Sequence, residues 1–369
     1  MNDWRNLQIY GGVMNTPMLR APTNKAATAV ADAAGRPLHD LRLSVIDQCN
    51  FRCTYCMPRE TFGSDYQFLP ADQRLSLDEM FSLAEAFTEL GIKKIRLTGG
   101  EPLLRRGIES LIERLAGLRT LDGQPMEIAL TTNGVLLSEK ARALRDAGLN
   151  RVTVSLDALN DTIFRRMSDA NMPVARVLEG IAAASAAGLA PVKVNMVVER
   201  GVNDSQILPL VQFFKGTGIT LRFIEYMDVG GASAWATDRV VTAQEIRAIV
   251  ESRYPLEPCN QGQINGTSTN FQHTDGGGEL GFIASVSQPF CGDCSRARVS
   301  SDGQLYTCLF ATQGLDLKPW LKNADKAESL PDVLRKHWSS RDDRYSELRS
   351  KRASGTRAYP IVRMSLVGG

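Results

Sequence analysis

The feature that most constrains this chain is a pattern that recurs from Leu41 to about Asp228: a polar-apolar helix, a glycine at its end, then a short run dense in Val, Ile and Leu. The clearest copies are FTELGIKKIRLTGG, LRDAGLNRVTVSLDAL, SAAGLAPVKVNMVVERG and FFKGTGITLRFIEYMD, with Gly91, Gly148, Gly188 and Gly216 where a helix C-terminus favours glycine. The runs 41–46, 93–98, 126–131, 151–156, 191–198 and 219–226 read as six strands separated by helices. That order predicts a parallel α/β sheet covered by helices and curling in one direction. Leu77, Met80, Phe81, Ala84, Phe87 and Leu90 form the core-facing stripe of one such helix. Polar residues gather at the strand ends: Cys49, Cys53 and Cys56, then Thr98 to Glu101, Thr131 to Asn133, and Ser155 with Asp157. In parallel α/β folds that rim is where active sites are built.

After residue 229 the texture changes. The stretch 260–278 is rich in Asn, Gly and Thr and reads as loop, Gly281–Val286 as a strand, and 296–300 with 304–307 as a hairpin. A largely helical region from about Asp316 to Arg349 follows, then a tail ending MSLVGG with no amphipathic pattern. The expected division is a flexible extension over 1–38, a barrel over 39–229 and a smaller C-terminal module over 230–369.

With 43 Lys and Arg against 41 Asp and Glu, no overall field argues for nucleic acid or membrane as partner. No apolar run approaches the roughly 20 residues that span a bilayer, and no secretory signal stands at the N-terminus, so an intracellular, reducing compartment is expected. Seven cysteines, six of them in two tight groups, suit metal ligation better than disulfides.

The first group, Cys49-Asn-Phe-Arg-Cys53-Thr-Tyr-Cys56, has spacing C-x3-C-x2-C directly after the first strand. Three thiolates without a fourth ligand nearby suggest a 4Fe-4S cluster with one open iron, since structural zinc sites are closed by four protein ligands. The competing reading is zinc completed by a distant histidine, and His39, His273 and His337 lack fitting spacing. The second group, Cys291, Cys294 and Cys308 in C-x2-C-x13-C, is again one ligand short. Here a second cluster competes with a zinc ribbon completed by Cys259, which otherwise reads as an incidental thiol. Beside it, Arg296 and Arg298 flank Ala297 on one strand and share a face. Such a pair is commonly a solvated edge, but next to a metal cluster it suits bidentate recognition of phosphate.

The C-x3-C-x2-C loop followed one unit later by Gly99-Gly100-Glu101-Pro102 resembles the radical S-adenosylmethionine (SAM) superfamily. The resemblance implies a partial (β/α)6 barrel whose open iron chelates SAM, and reductive cleavage to a 5′-deoxyadenosyl radical. The added C-x2-C-x13-C, the Arg-Ala-Arg segment and the terminal Gly-Gly narrow it to the GTP 3′,8-cyclase family, which the chain resembles from about Leu41 to Gly369. Ile46 and Gln48 depart from that family's more frequent Thr and basic residue.

The family resemblance implies two 4Fe-4S clusters, one on Cys49, Cys53 and Cys56 and one on Cys291, Cys294 and Cys308. It implies SAM contacts at the Tyr55 backbone, Gly100, Ser155 and Met227. GTP contacts are implied at Arg42, Arg96, Thr131, Lys193, Arg296, Ala297 and Arg298, with Lys94 and Arg222 as further basic candidates and Gly368 and Gly369 needed for activity. The implied reaction is a lyase step converting GTP to (8S)-3′,8-cyclo-7,8-dihydroguanosine 5′-triphosphate, the first in molybdenum cofactor biosynthesis. An electron donor and a downstream cyclic pyranopterin monophosphate synthase are the implied partners, a homodimer is compatible, and the expected location is the cytoplasm, or the mitochondrial matrix in a eukaryote. The rivals are a peptide maturase of the radical SAM type and a non-enzymatic zinc protein on the same scaffold.

Overall fold

Strict alternation along the inner strands sorts their side chains into two environments, and the sheet follows from it. The computed structural model describes residues 28–229, 235–259, 266–322, 327–348 and 363–367. Six parallel strands, β1 (Asp40–Ser44), β2 (Lys94–Thr98), β3 (Glu127–Thr132), β4 (Arg151–Ser155), β5 (Lys193–Val198) and β6 (Thr220–Glu225), stand side by side in chain order. Leu41, Leu43, Ile95, Leu97, Val152, Val154, Val194 and Met196 are fully buried on one face beneath the helices. Their polar neighbours Arg42, Arg96, Thr153 and Asn195 face the hollow side. The connecting helices include α1 (Leu77–Thr88), which starts on a capping box between Ser76 and Glu79 and buries Met80, Leu83, Ala84 and Phe87. Gly91, Gly148, Gly188 and Gly216 all take the left-handed conformation expected of helix C-caps.

The C-terminal region extends both sides of this sheet. β9 (Glu279–Ile283) pairs in parallel with β6, and β8 (Thr269–His273) and β7 (Leu256–Pro258) continue outward from it antiparallel. At the opposite side β10 (Arg296–Val299) pairs in parallel with β1, followed by β11 (Gln304–Tyr306) and β12 (Leu315–Asp316). No helix among the described residues is long and apolar enough to cross a membrane.

Three expectations need correction. β8 lies inside the stretch read as loop: its Thr, Asn and Gln residues carry little strand signal, and only Phe271 and His273 turn inward. The tail holds a four-residue helix, Met364–Val367, too short for an amphipathic repeat to be legible. The expected flexible extension is docked from residue 28 onward, since Asp32, Arg36 and Leu38 are buried and Val30 bonds to Leu90 through the backbone. Burial of a salt-bridged pair leaves no apolar periodicity to read.

What positions the first cysteine loop is the Gly99-Gly100-Glu101 turn after β2. The Gly100 and Glu101 amides donate to the carbonyls of Ile46 and Gln48, each at 2.8 Å. A Cβ on Gly99 would lie 2.3 Å from the Ile46 oxygen, and one on Gly100 would lie 2.1 Å from the Gln48 oxygen. These glycines therefore admit the loop's own backbone, which bulkier residues would push away. Glu101, 1% exposed, accepts bonds from the Thr132 hydroxyl at 2.7 Å and the Asn133 amide at 2.8 Å, tying β2 to β3.

Burial raises the Glu101 carboxyl to about 7 from 4.5, against the pull of those hydrogen bonds. Because the folded value is the higher one, folding takes up a proton between pH 4.5 and about 7, and stability falls as pH rises through that window. Unfolding titrations of the wild type and Glu101→Gln should therefore diverge, the wild type losing on the order of 3 kcal/mol relative to the variant across the window. Parallel curves would contradict this account.

Candidate active site

The hollow side of the sheet encloses a cavity of about 710 Å³ lined from every strand β1 to β6 and from β10. Both cysteine groups face it, Cys49, Cys53 and Cys56 from one end and Cys291, Cys294 and Cys308 from the other. Topology fixes the ends. The first trio follows the C-terminal end of β1. Cys294 comes two residues before Arg296, which pairs with Asp40 at the start of β1, and Cys308 comes two residues after Tyr306, which pairs with Arg298. The trios are thus separated by a strand's length, on the order of 17 Å for five residues at about 3.3 Å each.

The first loop is held by groups within and around it. The Arg52 guanidinium donates to the Cys49, Phe51 and Phe62 carbonyls at 2.8, 2.8 and 2.9 Å. Asn133 donates to Asn50 at 2.6 Å, and the Tyr55 hydroxyl donates to Asp157 at 2.8 Å. Asp157 also accepts the Val197 amide at 2.9 Å, so one buried carboxylate joins the loop to β5. Burial pushes the Cys49 and Cys56 thiols up to about 12 and holds Cys53 well above its ordinary value. Such thiols are poor anions unless a cationic partner takes the charge. No three His, Cys, Asp or Glu side chains among the described residues are grouped to hold a single metal ion; three thiols in each group, one short of a closed zinc site, are the donor set that suits an iron–sulfur cluster with an open iron. Cys259 and the three histidines lie off the cavity wall.

At the other end two thiols diverge: burial raises Cys308 to about 11, whereas Cys294 goes down. Burial would raise the Cys294 thiol, but Arg296 and Arg341 outweigh it and bring it down to about 6. The Arg296 guanidinium lies 3.3 Å from the Cys294 sulfur.

Between the trios the wall is cationic. Arg298, Arg42 and Arg96 occupy successive register positions on β10, β1 and β2 and all face inward. Burial first, and neighbouring guanidiniums second, lower Arg298 to about 10 and hold Arg42 well below its ordinary value. Arg96 falls to about 10, again through burial and then Arg151. Across the cavity, burial and nearby cations lower Arg222 to about 9 and Lys193 to about 8. Arg96 donates to Thr131 at 3.1 Å and Thr153 at 3.3 Å, and Arg222 to Asn195 at 2.9 Å. Lys94 is paired with Asp40 at 2.5 Å. So dense a row of positive charge, half-buried or more along the cavity wall, is costly by itself and favours an anion with several charges.

Of the residues singled out in the sequence, Tyr55, Gly100, Ser155 and Met227 line the end near the first trio, and Arg42, Arg96, Thr131, Lys193, Arg222, Arg296 and Arg298 line the wall. The Ala297 side chain is fully buried in the core on the opposite face, as alternation requires between two inward arginines, which leaves its backbone beside them. Gly368 and Gly369 lie outside the described residues, but Met364, four positions earlier, lines the cavity and packs with Tyr55, Met167 and Tyr226. Arg363 anchors the tail by donating to the Tyr66 hydroxyl at 2.7 Å and stacking 4.9 Å from the Phe62 ring. Sequence reasoning missed Arg151, Thr153, Asp157 as a tether, Arg52 and Arg341. Arg151 and Thr153 could have been found by extending inward alternation along β4.

Comparison with known proteins agrees with this architecture. Residues 43–214 match the family model of the Radical SAM superfamily, and 219–347 match Molybdenum Cofactor Synthesis C. A GTP 3′,8-cyclase of Xanthomonas axonopodis pv. citri is 53% identical over 338 residues, 92% of this chain and 98% of that protein. One from Staphylococcus aureus is 45% identical over 341 residues, 92% of this chain and 99% of that protein. Among solved structures, Streptococcus suis SuiB bound to S-adenosylmethionine superimposes with a TM-score of 0.57 at 15% identity, covering 90% of this chain and 73% of that one, which speaks to the fold alone. The chain belongs to the GTP 3′,8-cyclase family within the radical SAM superfamily, with that superfamily's α/β fold.

Proposed function

We propose that this protein is itself a GTP 3′,8-cyclase acting at the first step of molybdenum cofactor biosynthesis. The observation that carries the reading is one cavity with three thiols at each end and a row of guanidiniums between them. In this reading Cys49, Cys53 and Cys56 hold the cluster that binds SAM, and Cys291, Cys294 and Cys308 hold a second 4Fe-4S cluster. Bound SAM and the first cluster supply, on reduction, a carbon radical able to remove a hydrogen atom from the substrate ribose.

The protein's own residues do the rest by placement. The Tyr55 backbone, Gly100, Ser155 and Met227 seat SAM at the C-terminal end of the strands, where the Gly99-Gly100 turn keeps the cysteine loop close. Arg42, Arg96, Arg298, Lys193 and Arg222, with Thr131 orienting Arg96, meet the triphosphate in the middle of the wall. Arg296, with the Ala297 backbone beside it, directs the nucleotide toward the second trio. Arg151 and Thr153 join this set. With substrate bound, the closed walls keep water from the reactive carbon. The Gly368-Gly369 end, following a tail already seated at the cavity, completes the site. A reducing cytosol, an electron donor and a downstream cyclic pyranopterin monophosphate synthase belong to the same proposal.

The direct test is anaerobic incubation of the reconstituted protein with GTP, SAM and reductant. The 3′,8-cyclised nucleotide should form together with 5′-deoxyadenosine, and 5′-deoxyadenosine without any cyclised nucleotide would overturn the reading. Replacing Arg296 and Arg298 together with Ala should weaken GTP binding by roughly 100-fold or more, given about 1.5–3 kcal/mol per charged hydrogen bond, while SAM cleavage stays measurable. Unchanged affinity in calorimetry would remove these residues from the phosphate site. Deleting Gly368 and Gly369 should lower cyclisation without lowering iron content, and full turnover by the truncated protein would contradict their role.

A further inference from the structure

The cysteine turn before β10 is gripped from behind by both ends of the described chain. Arg36 donates through Nη1 to the Cys291 carbonyl at 2.9 Å and the Asp343 carbonyl at 2.8 Å. Arg341 donates through its own Nη1 to the Cys294 carbonyl at 2.7 Å. Asp32 joins the two guanidiniums, 2.6 Å from Arg36 Nε and 3.3 Å from Arg341 Nη1, and Asp343 pairs with Arg341 Nε at 3.0 Å. The Arg36, Arg341 and Asp32 side chains are 3%, 2% and 0% exposed. Trp338 lies under Arg341, its ring 4.7 Å from the guanidinium carbon, and donates to the Arg36 carbonyl at 3.3 Å.

A generic salt bridge joining two chain segments would not need these features. Each arginine spends a donor on the backbone of a different cysteine in the same turn, although burying a guanidinium is costly and a surface pair would tie the segments at lower cost. Fixing both carbonyls fixes the peptide planes between Cys291 and Ser295. Since a trans peptide sets its N–H opposite its C=O, the Gly292 and Ser295 amides are turned away from the arginines. Thiol position, amide direction and nearby positive charge are the quantities by which a protein holds and tunes an iron–sulfur cluster.

We propose that Asp32, Arg36, Arg341 and Asp343 form a buried charge clamp whose role is to position the Cys291–Cys294 turn for retention of the second cluster. The proposal rests on the reading that Cys291, Cys294 and Cys308 hold that cluster. These four are positioning residues, acting through the cysteines. The clamp also gives the segment from residue 28 onward a task in the site, because without Asp32 and Arg36 the Cys291 carbonyl loses its donor and Arg341 loses one of its two carboxylates.

The test uses the full chain, anaerobically reconstituted, and follows loss of each cluster to an iron chelator by electron paramagnetic resonance. Arg341→Met and Arg36→Met should lose the second cluster roughly 10–100-fold faster, the usual effect of removing a group that orients a metal ligand, with the first cluster and reductive SAM cleavage unaffected. Arg341→Lys, which keeps the charge but not the fork, should fall between, and it carries the test if the Met variants do not fold. Wild-type release rates in all three variants would overturn the clamp, as would equal acceleration at both clusters, which marks general loosening. Cys291→Ala separates the two readings. If it keeps the wild-type iron content and spectrum, the second-cluster assignment fails and the clamp with it, whereas loss of iron in Cys291→Ala beside normal retention in the arginine variants sinks the clamp alone.

Discussion

Three guanidiniums placed side by side in one row along the cavity wall, Arg298 buried and the other two half-buried, are the constraint around which this molecule is arranged. Arg298, Arg42 and Arg96 come from three neighbouring strands in matched register, so none can turn outward without moving a leucine or valine into the cavity. At neutral pH Arg96 and Arg298, lowered to about 10, stay charged, and a guanidinium is not deprotonated in ordinary protein surroundings. The row therefore stores repulsion that an incoming polyanion relieves. Thr131 and Thr153 steady Arg96, but a hydroxyl dipole does not neutralise a charge.

Placing that row in mid-barrel gives the two ends different electrostatic characters. At the C-terminal end the thiols are surrounded by carboxylates, Glu101 and Asp157, and burial holds their protons on. At the N-terminal end Arg296 and Arg341 draw Cys294 toward the thiolate. Parallel α/β proteins ordinarily build sites at one rim. Here β10 docks in parallel on β1, and its preceding turn brings cysteines and guanidiniums to the rim usually left to stability.

The barrel was legible in the sequence because each helix–glycine–strand unit repeats its signal locally, and Gly91, Gly148, Gly188 and Gly216 mark where each helix must stop. The thiol trios were legible for the same reason: their spacing is local. What escaped was long-range. The hairpin over 296–307 could be read, but its pairing with β1, which turns Arg296 and Arg298 toward Arg42, depends on a contact across more than half the chain. Between Arg296 and Arg298, alternation sends the Ala297 side chain to the opposite face from its neighbours. The close approach of Gly99 and Gly100 to the backbone of Ile46 and Gln48 is another long-range contact that their own segment does not display.

Asp32 and Arg36 carry this lesson furthest. In sequence they sit in a segment rich in Ala, Thr and Asn, where isolated charges read as solvation. In the fold they are among the most deeply buried ionised groups, and the only local hint is their i, i+4 spacing. A buried ion pair is a weak source of stability, because desolvation offsets most of the attraction. Its value lies in geometry: two guanidiniums fixed by a shared carboxylate have few other places to point, so the carbonyls of Cys291 and Cys294 are held where the arginines are. The same charges that make the segment look disordered as text are what order the turn beside the arginine row.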